Sequence, residues 1–68
     1  MKKLAERIKY LREEKELTQE QLGKAVGYDQ SRVAKWENGS LEPSVDVLIA
    51  LAKLFNVTVG YLVGTEND

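Results

Sequence analysis

The sequence predicts an all-α fold of five short helices, and three observations carry that prediction. Apolar residues recur at intervals of three and four along most of the chain. Thr18, Asp29, Ser44 and Thr58 each stand just before such a segment, where a short oxygen-bearing side chain caps a helix start. Gly27, Asn38-Gly39 and Asn56 follow the segments, where a left-handed residue ends a helix. No strand pattern competes with this reading.

Each element follows in order. Leu4, Ile8 and Leu11 fall at i, i+4 and i+7 with Lys, Arg and Glu between them, so an amphipathic first helix is expected over about residues 3–15. Leu17 then closes the chain onto the core. Thr18-Gln19-Glu20-Gln21 fits a capping box, which starts a second helix that turns Leu22 and Val26 inward and ends at Gly27. Asp29 caps a third helix, about residues 30–37, in which Val33 and Trp36 share a face before Asn38-Gly39 stops it. Pro43-Ser44 opens a fourth, with Val45, Leu48, Leu51, Ala52 and Phe55 as its apolar stripe and Asn56 at its end. Thr58 caps a short fifth helix through Val63, after which the polar tail, Gly64 to Asp68, is expected to fray. The whole, residues 1–68, reads as one domain with an ordered core of about 3–63.

Composition narrows the function. A 68-residue chain buries only about 60% of the surface its unfolded form exposes, so helix packing must hold the fold with little to spare. With no Cys and no His, disulfides, Cys/His zinc sites and catalysis by either residue are excluded. No paired carboxylates, no nucleophile with a base and no phosphate-cradling glycine loop stand at a workable spacing, so neither enzymatic activity nor a metal or cofactor is expected. Apolar runs fall far short of the ~20 residues that a membrane span needs, and the expectation is a cytoplasmic protein of prokaryotic or phage origin. The net charge of −1 speaks against a nucleic-acid binder, but its distribution does not. Residues 1–35 hold nine Lys and Arg against six Asp and Glu, +3; residues 36–68 hold Lys53 against five acids, −4. The first half is therefore suited to an anionic partner.

The informative feature is the Gly27-Tyr28-Asp29 turn between the second and third helices. A short glycine-containing turn sets two helices roughly perpendicular, Gly23 lets them approach, and Val33 plugs the joint. That spacing is what a helix-turn-helix requires.

Over residues 4–63 the chain resembles the phage-repressor and Cro-like (XRE-type) helix-turn-helix family. The resemblance rests on Leu17-Thr18-Gln19-Glu20-Gln21-Leu22, Val26-Gly27, Val33, Trp36-Glu37-Asn38-Gly39, Pro43-Ser44, Leu48, Leu51-Ala52, Val57 and Leu62. It implies a five-helix, lambda-repressor-like domain that binds double-stranded DNA, regulates transcription, with repression the expected outcome, and places its third helix in the major groove. Gln30, Ser31 and Lys35, with Arg32 close by, would then read base edges, Gln suiting adenine and Lys or Arg suiting guanine. Gln19 matches a phosphate-contacting position, and Lys24, Tyr28, Asn38 and Ser40 stand as flanking phosphate contacts. Glu42 sits in a loop that is basic in some relatives and would repel a phosphate there.

Not every charged or aromatic residue in register is assigned to DNA. The resemblance implies that Arg12 and Glu37 form a partly buried ion pair joining the first and third helices. Trp36 shares core spacing with Val33 and is read as packing. One recognition helix reads few base pairs, so a two-fold homodimer on a pseudo-palindromic operator is expected. Val59, Tyr61 and Val63 either form its interface or complete the monomer core. A protein-interaction module that reuses the fold is the second functional reading, and an enzyme the third.

Overall fold

The computed structural model describes residues 2–66. Among these it holds five helices and no strand: α1 Lys2–Glu14, α2 Gln19–Val26, α3 Gln30–Asn38, α4 Val45–Phe55 and α5 Val59–Val63. α3 packs on both α1 and α2, α5 closes on α1 and α4, and α4 also meets α2.

The capping chemistry places every boundary from α2 onward. At α2, the Gln21 amide donates to Thr18 Oγ1 at 3.0 Å, while the Gln21 side chain accepts from the Thr18 amide at 2.8 Å. Asp29, Ser44 and Thr58 cap α3, α4 and α5 in the same way, each accepting from the amide three residues on. The C-terminal ends of these four helices turn through left-handed residues, Gly27, Gly39, Asn56 and Gly64.

The joint between α2 and α3 is tight at Gly23. The Tyr28 amide donates to Gly23 O at 2.7 Å, and a Cβ at position 23 would sit 2.6 Å from Tyr28 O and 2.9 Å from Asp29 O. Both neighbours are backbone, so nothing there can rotate aside. A side-chain-free residue is therefore what lets α3 start so soon after α2 ends.

The core gathers Leu4 and Ile8 of α1, Leu22 of α2, Val33 and Trp36 of α3, Val47, Leu48, Leu51, Ala52 and Phe55 of α4, and Leu62 of α5. Leu11, Leu17 and Val26 pack against it while only partly buried. Val45 departs from the expected stripe: it is 70% exposed, and Val47 takes the inward place. The buried residues Val47, Leu48, Leu51, Ala52 and Phe55 span one arc of the helix, and Val45 stands at the edge of that arc, in register with Leu48 and Ala52 but in the first turn, where the start of the helix is left in solvent.

The end of the chain also differs from expectation. Gly64, at φ 91°, turns the backbone so that the Thr65 and Glu66 amides reach Gly60 O at 2.9 and 3.2 Å. Thr58 Oγ1 donates to Glu66 Oε1 at 2.8 Å. Arg7 lies 4.0 Å over the Tyr61 ring and donates to the Tyr61 and Glu66 carbonyls. Where fraying is expected from residue 64, residues 64–66 are thus bonded to α5 and α1; residues 67 and 68 lie outside the described residues.

Candidate nucleic-acid interface

One side of α3 faces solvent. Val33 and Trp36 point inward, and at helical spacing this leaves Gln30, Ser31, Arg32 and Lys35 exposed along the opposite side. With Gly27, Tyr28 and Asp29 of the preceding turn, Ser31, Arg32 and Lys35 line an open concave strip beside the helix. The Arg32 guanidinium lies 5.0 Å from the Tyr28 ring centre, and Tyr28 meets the buried Trp36 edge-on, with centres 5.5 Å apart. Trp36 therefore does what its core spacing suggests and also supports the floor of this strip.

Beneath α3 runs a chain of hydrogen bonds that begins in α1. Arg12 donates through Nε and Nη2 to the two oxygens of Glu37, at 2.6 and 3.1 Å, and through Nη1 to Leu17 O at 2.7 Å. The side chains of Arg12 and Glu37 are only 12% and 4% exposed. The Arg12 pKa is raised, first by its hydrogen bond to Glu37 and then by charge attraction from Glu37 and Glu13, which together outweigh desolvation. Glu37 accepts a third bond, from Gln19 Nε2 at 3.1 Å. Gln19 Oε1 in turn accepts from Gln30 Nε2 at 2.7 Å.

The direction of these bonds follows from the chemistry of their buried end. An ionised carboxylate only accepts, so Gln19 must turn its NH₂ toward Glu37. Its carbonyl then faces Gln30, and Gln30 must answer with NH₂. One N–H and both lone pairs of the Gln30 amide are left for an outside partner, in a fixed sense. This is the donor–acceptor pair that adenine's N7 and N6 edge requires.

The remaining sequence candidates separate. Gln19, expected at a phosphate, sits at the first turn of α2 but commits both ends of its amide to Glu37 and Gln30. Lys24 is exposed on α2, and Tyr28 is exposed beside Arg32. Asn38 uses its Oδ1 to accept from the Ser40 amide at 2.8 Å, shaping the turn after α3. The Ser40 amide also donates to Lys35 O. Val59 and Val63 pack against the core, and Tyr61 lies under Arg7. The pairing of Gln19 with Gln30 is absent from the sequence reading. Its one trace there is that both residues stand at the start of consecutive helices.

Comparison with known proteins agrees with this fold. Residues 8–62 match the helix-turn-helix family model. The chain is 36% identical over 63 residues to the uncharacterized HTH-type transcriptional regulator YobD of Bacillus subtilis, covering 93% of this chain and 56% of that protein. It thus spans about half the length of that relative. The P22 c2 repressor, solved in complex with a synthetic operator, superposes with a TM-score of 0.84 and 32% identity over 91% of this chain and 94% of that one. HppE, solved with FeII and substrate, superposes at 0.79 with 29% identity over 90% of this chain but 35% of its own, so in that protein the fold is one part of a longer chain.

Proposed function

The chain belongs to the helix-turn-helix family, and from that premise we propose that it is a sequence-specific transcriptional regulator whose α3 reads the major groove of double-stranded DNA. One observation carries the reading: Gln30 is exposed at the start of α3 while its amide is held in one sense by Gln19, Glu37 and Arg12. A solvated surface glutamine has no need of such support, whereas a base-reading glutamine gains from it, because a side chain already oriented loses less entropy on binding.

Gln30, Ser31 and Lys35 take base contacts in this proposal, with Arg32 at the edge of the strip. Lys24, Tyr28, Ser40 and the first turn of α2 at Gln19 flank them toward phosphate. The chain acts as a homodimer on a pseudo-palindromic operator, with half-sites ~34 Å apart. The likeness to the P22 c2 repressor supports repression as the outcome.

Selection of bound sequences from a randomised duplex pool tests the proposal. Enrichment of a short two-fold motif, with affinity that falls steeply as salt rises, is the expected result. A pool that stays random after repeated rounds would overturn it.

A further inference from the structure

The exposed side of α3 has two flanks, and the hydrogen-bond chain from Arg12 to Gln30 serves only one of them. At 3.6 residues per turn, Gln30, Ser31, Lys35 and Arg32 follow one another around the helix in that order, at about 0°, 100°, 140° and 200°. Gln30 therefore stands on the flank beside Glu37 and Gln19. Arg32 stands on the opposite flank, about 40° around the helix from the buried Trp36.

The Arg32 flank has a support of its own. The Tyr28 amide is bonded to Gly23 O at 2.7 Å, and the Tyr28 ring meets Trp36, itself only 2% exposed, edge-on with centres 5.5 Å apart. The Arg32 guanidinium lies over that Tyr28 ring, 5.0 Å from its centre. The Arg32 amide is fixed in turn, donating to Asp29 Oδ1 at 2.9 Å. Both ends of the contact are thus anchored through the backbone, Tyr28 in the turn between α2 and α3 and Arg32 in the first turn of α3. Among the described residues no carboxylate pairs with the Arg32 guanidinium, so its N–H groups are left for an outside acceptor.

We propose that the Tyr28 ring is a platform that aims Arg32 at a guanine in the major groove, at a base pair other than the one Gln30 reads. An arginine resting on an aromatic face keeps its planar fork of donors free, and guanine offers that fork two acceptors, N7 and O6. A phosphate is the poorer fit: the Asp29 carboxylate lines the same strip and repels an anion, whereas a base edge is neutral. A long side chain also loses rotamer freedom on binding, and the ring removes part of that loss beforehand. Tyr28 touches no base in this arrangement and acts through Arg32, with its ring rather than its hydroxyl. The inference rests on the reading of α3 as the helix that enters the groove, and deepens it.

Binding of the full chain and of R32A, Y28L and Y28F to the operator selected from the pool, and to its single-base variants, tests it. Circular dichroism and denaturant unfolding check that each variant is folded. R32A should cut the preference for guanine at one position of the half-site by about tenfold or more, with the preference at the base read by Gln30 unchanged. Y28L should weaken the same guanine preference about two- to fivefold, Y28F should keep it, and Y28L should take nothing further from R32A. A motif with no Arg32-dependent guanine would overturn the proposal, as when R32A weakens all sequences alike and lowers the salt slope by about 1, the mark of a phosphate contact. So would a Y28L chain that keeps the full preference, a Y28F chain that loses it, or losses from Y28L and R32A that simply add. A selected motif alongside any of these would leave the DNA-binding reading standing and remove only the role of Tyr28 and Arg32, whereas a pool that stays random would overturn both.

Discussion

Gln30 donates to Gln19 across the helix-turn-helix, Nε2 to Oε1 at 2.7 Å, and Gln19 is itself oriented by the 4%-exposed carboxylate of Glu37. The relationship makes an exposed side chain depend on a charge in the interior. It also separates what a mutation does to folding from what it does to recognition.

Gln30→Ala should remove the base contact and its discrimination, worth ~1 to 3 kcal/mol for a good bidentate pair. Gln19→Ala should lose less, about 0.5 to 1.5 kcal/mol, because it frees Gln30 to rotate without deleting it. Competition binding between the selected operator and single-base variants would measure both. The double variant should lose no more discrimination at that base than Gln30→Ala alone. Strictly additive losses would show that the 2.7 Å bond plays no part in reading DNA.

Arg12→Ala should be the most damaging single change at the α1–α3 contact. It strands the nearly buried Glu37 charge, for which the cost is on the order of 3 to 5 kcal/mol. Replacing both partners together, as in R12M with E37M, should cost much less, since two apolar side chains leave no unpaired charge. Denaturant unfolding of the three variants gives the comparison. The Arg12 pKa is raised in the folded state, so its contribution is fully present below its unfolded value and is lost only as pH climbs through the still higher folded one. Deprotonation of Arg12 should therefore make no difference to stability between about pH 5 and 9.

Gly23→Ala tests the joint. Alanine improves helix propensity by about 1 kcal/mol, yet its Cβ would meet the Tyr28 and Asp29 carbonyl oxygens at 2.6 and 2.9 Å. Backbone atoms must shift to make room, at a cost of roughly 1 to 3 kcal/mol. We expect net destabilisation together with weaker DNA binding, because the same shift tilts α3. A thermal midpoint equal to or above that of the wild type would show that the turn has slack.

Much of this molecule was legible before its structure. Helix boundaries depend on residues within three or four positions, so Thr18 with Gln21, Asp29, Ser44 and Gly27 marked them directly. The outward set on α3 followed from Val33 and Trp36 pointing the other way. Val45 did not follow, because its spacing puts it in register with the buried Leu48 and Ala52, and only the packing of the whole molecule leaves the first turn of α4 uncovered. The end of the chain did not either: a Gly–Thr–Glu tail looks free until Gly64 turns it back toward Gly60 and Arg7.

The sequence by itself determined the helices, their caps, the glycine turn and the polar face of α3, since each is written in the spacing of near neighbours. Tertiary structure alone decided that Gln19 would serve Gln30, and that Val45 and Ile49 would stand in solvent. Those outcomes depend on how whole helices rotate and cross, which burial of all five against one core sets and no local interval encodes. The pairing of Gln19 with Gln30 exists because α1 delivers Arg12 to Glu37, 25 residues away in the chain.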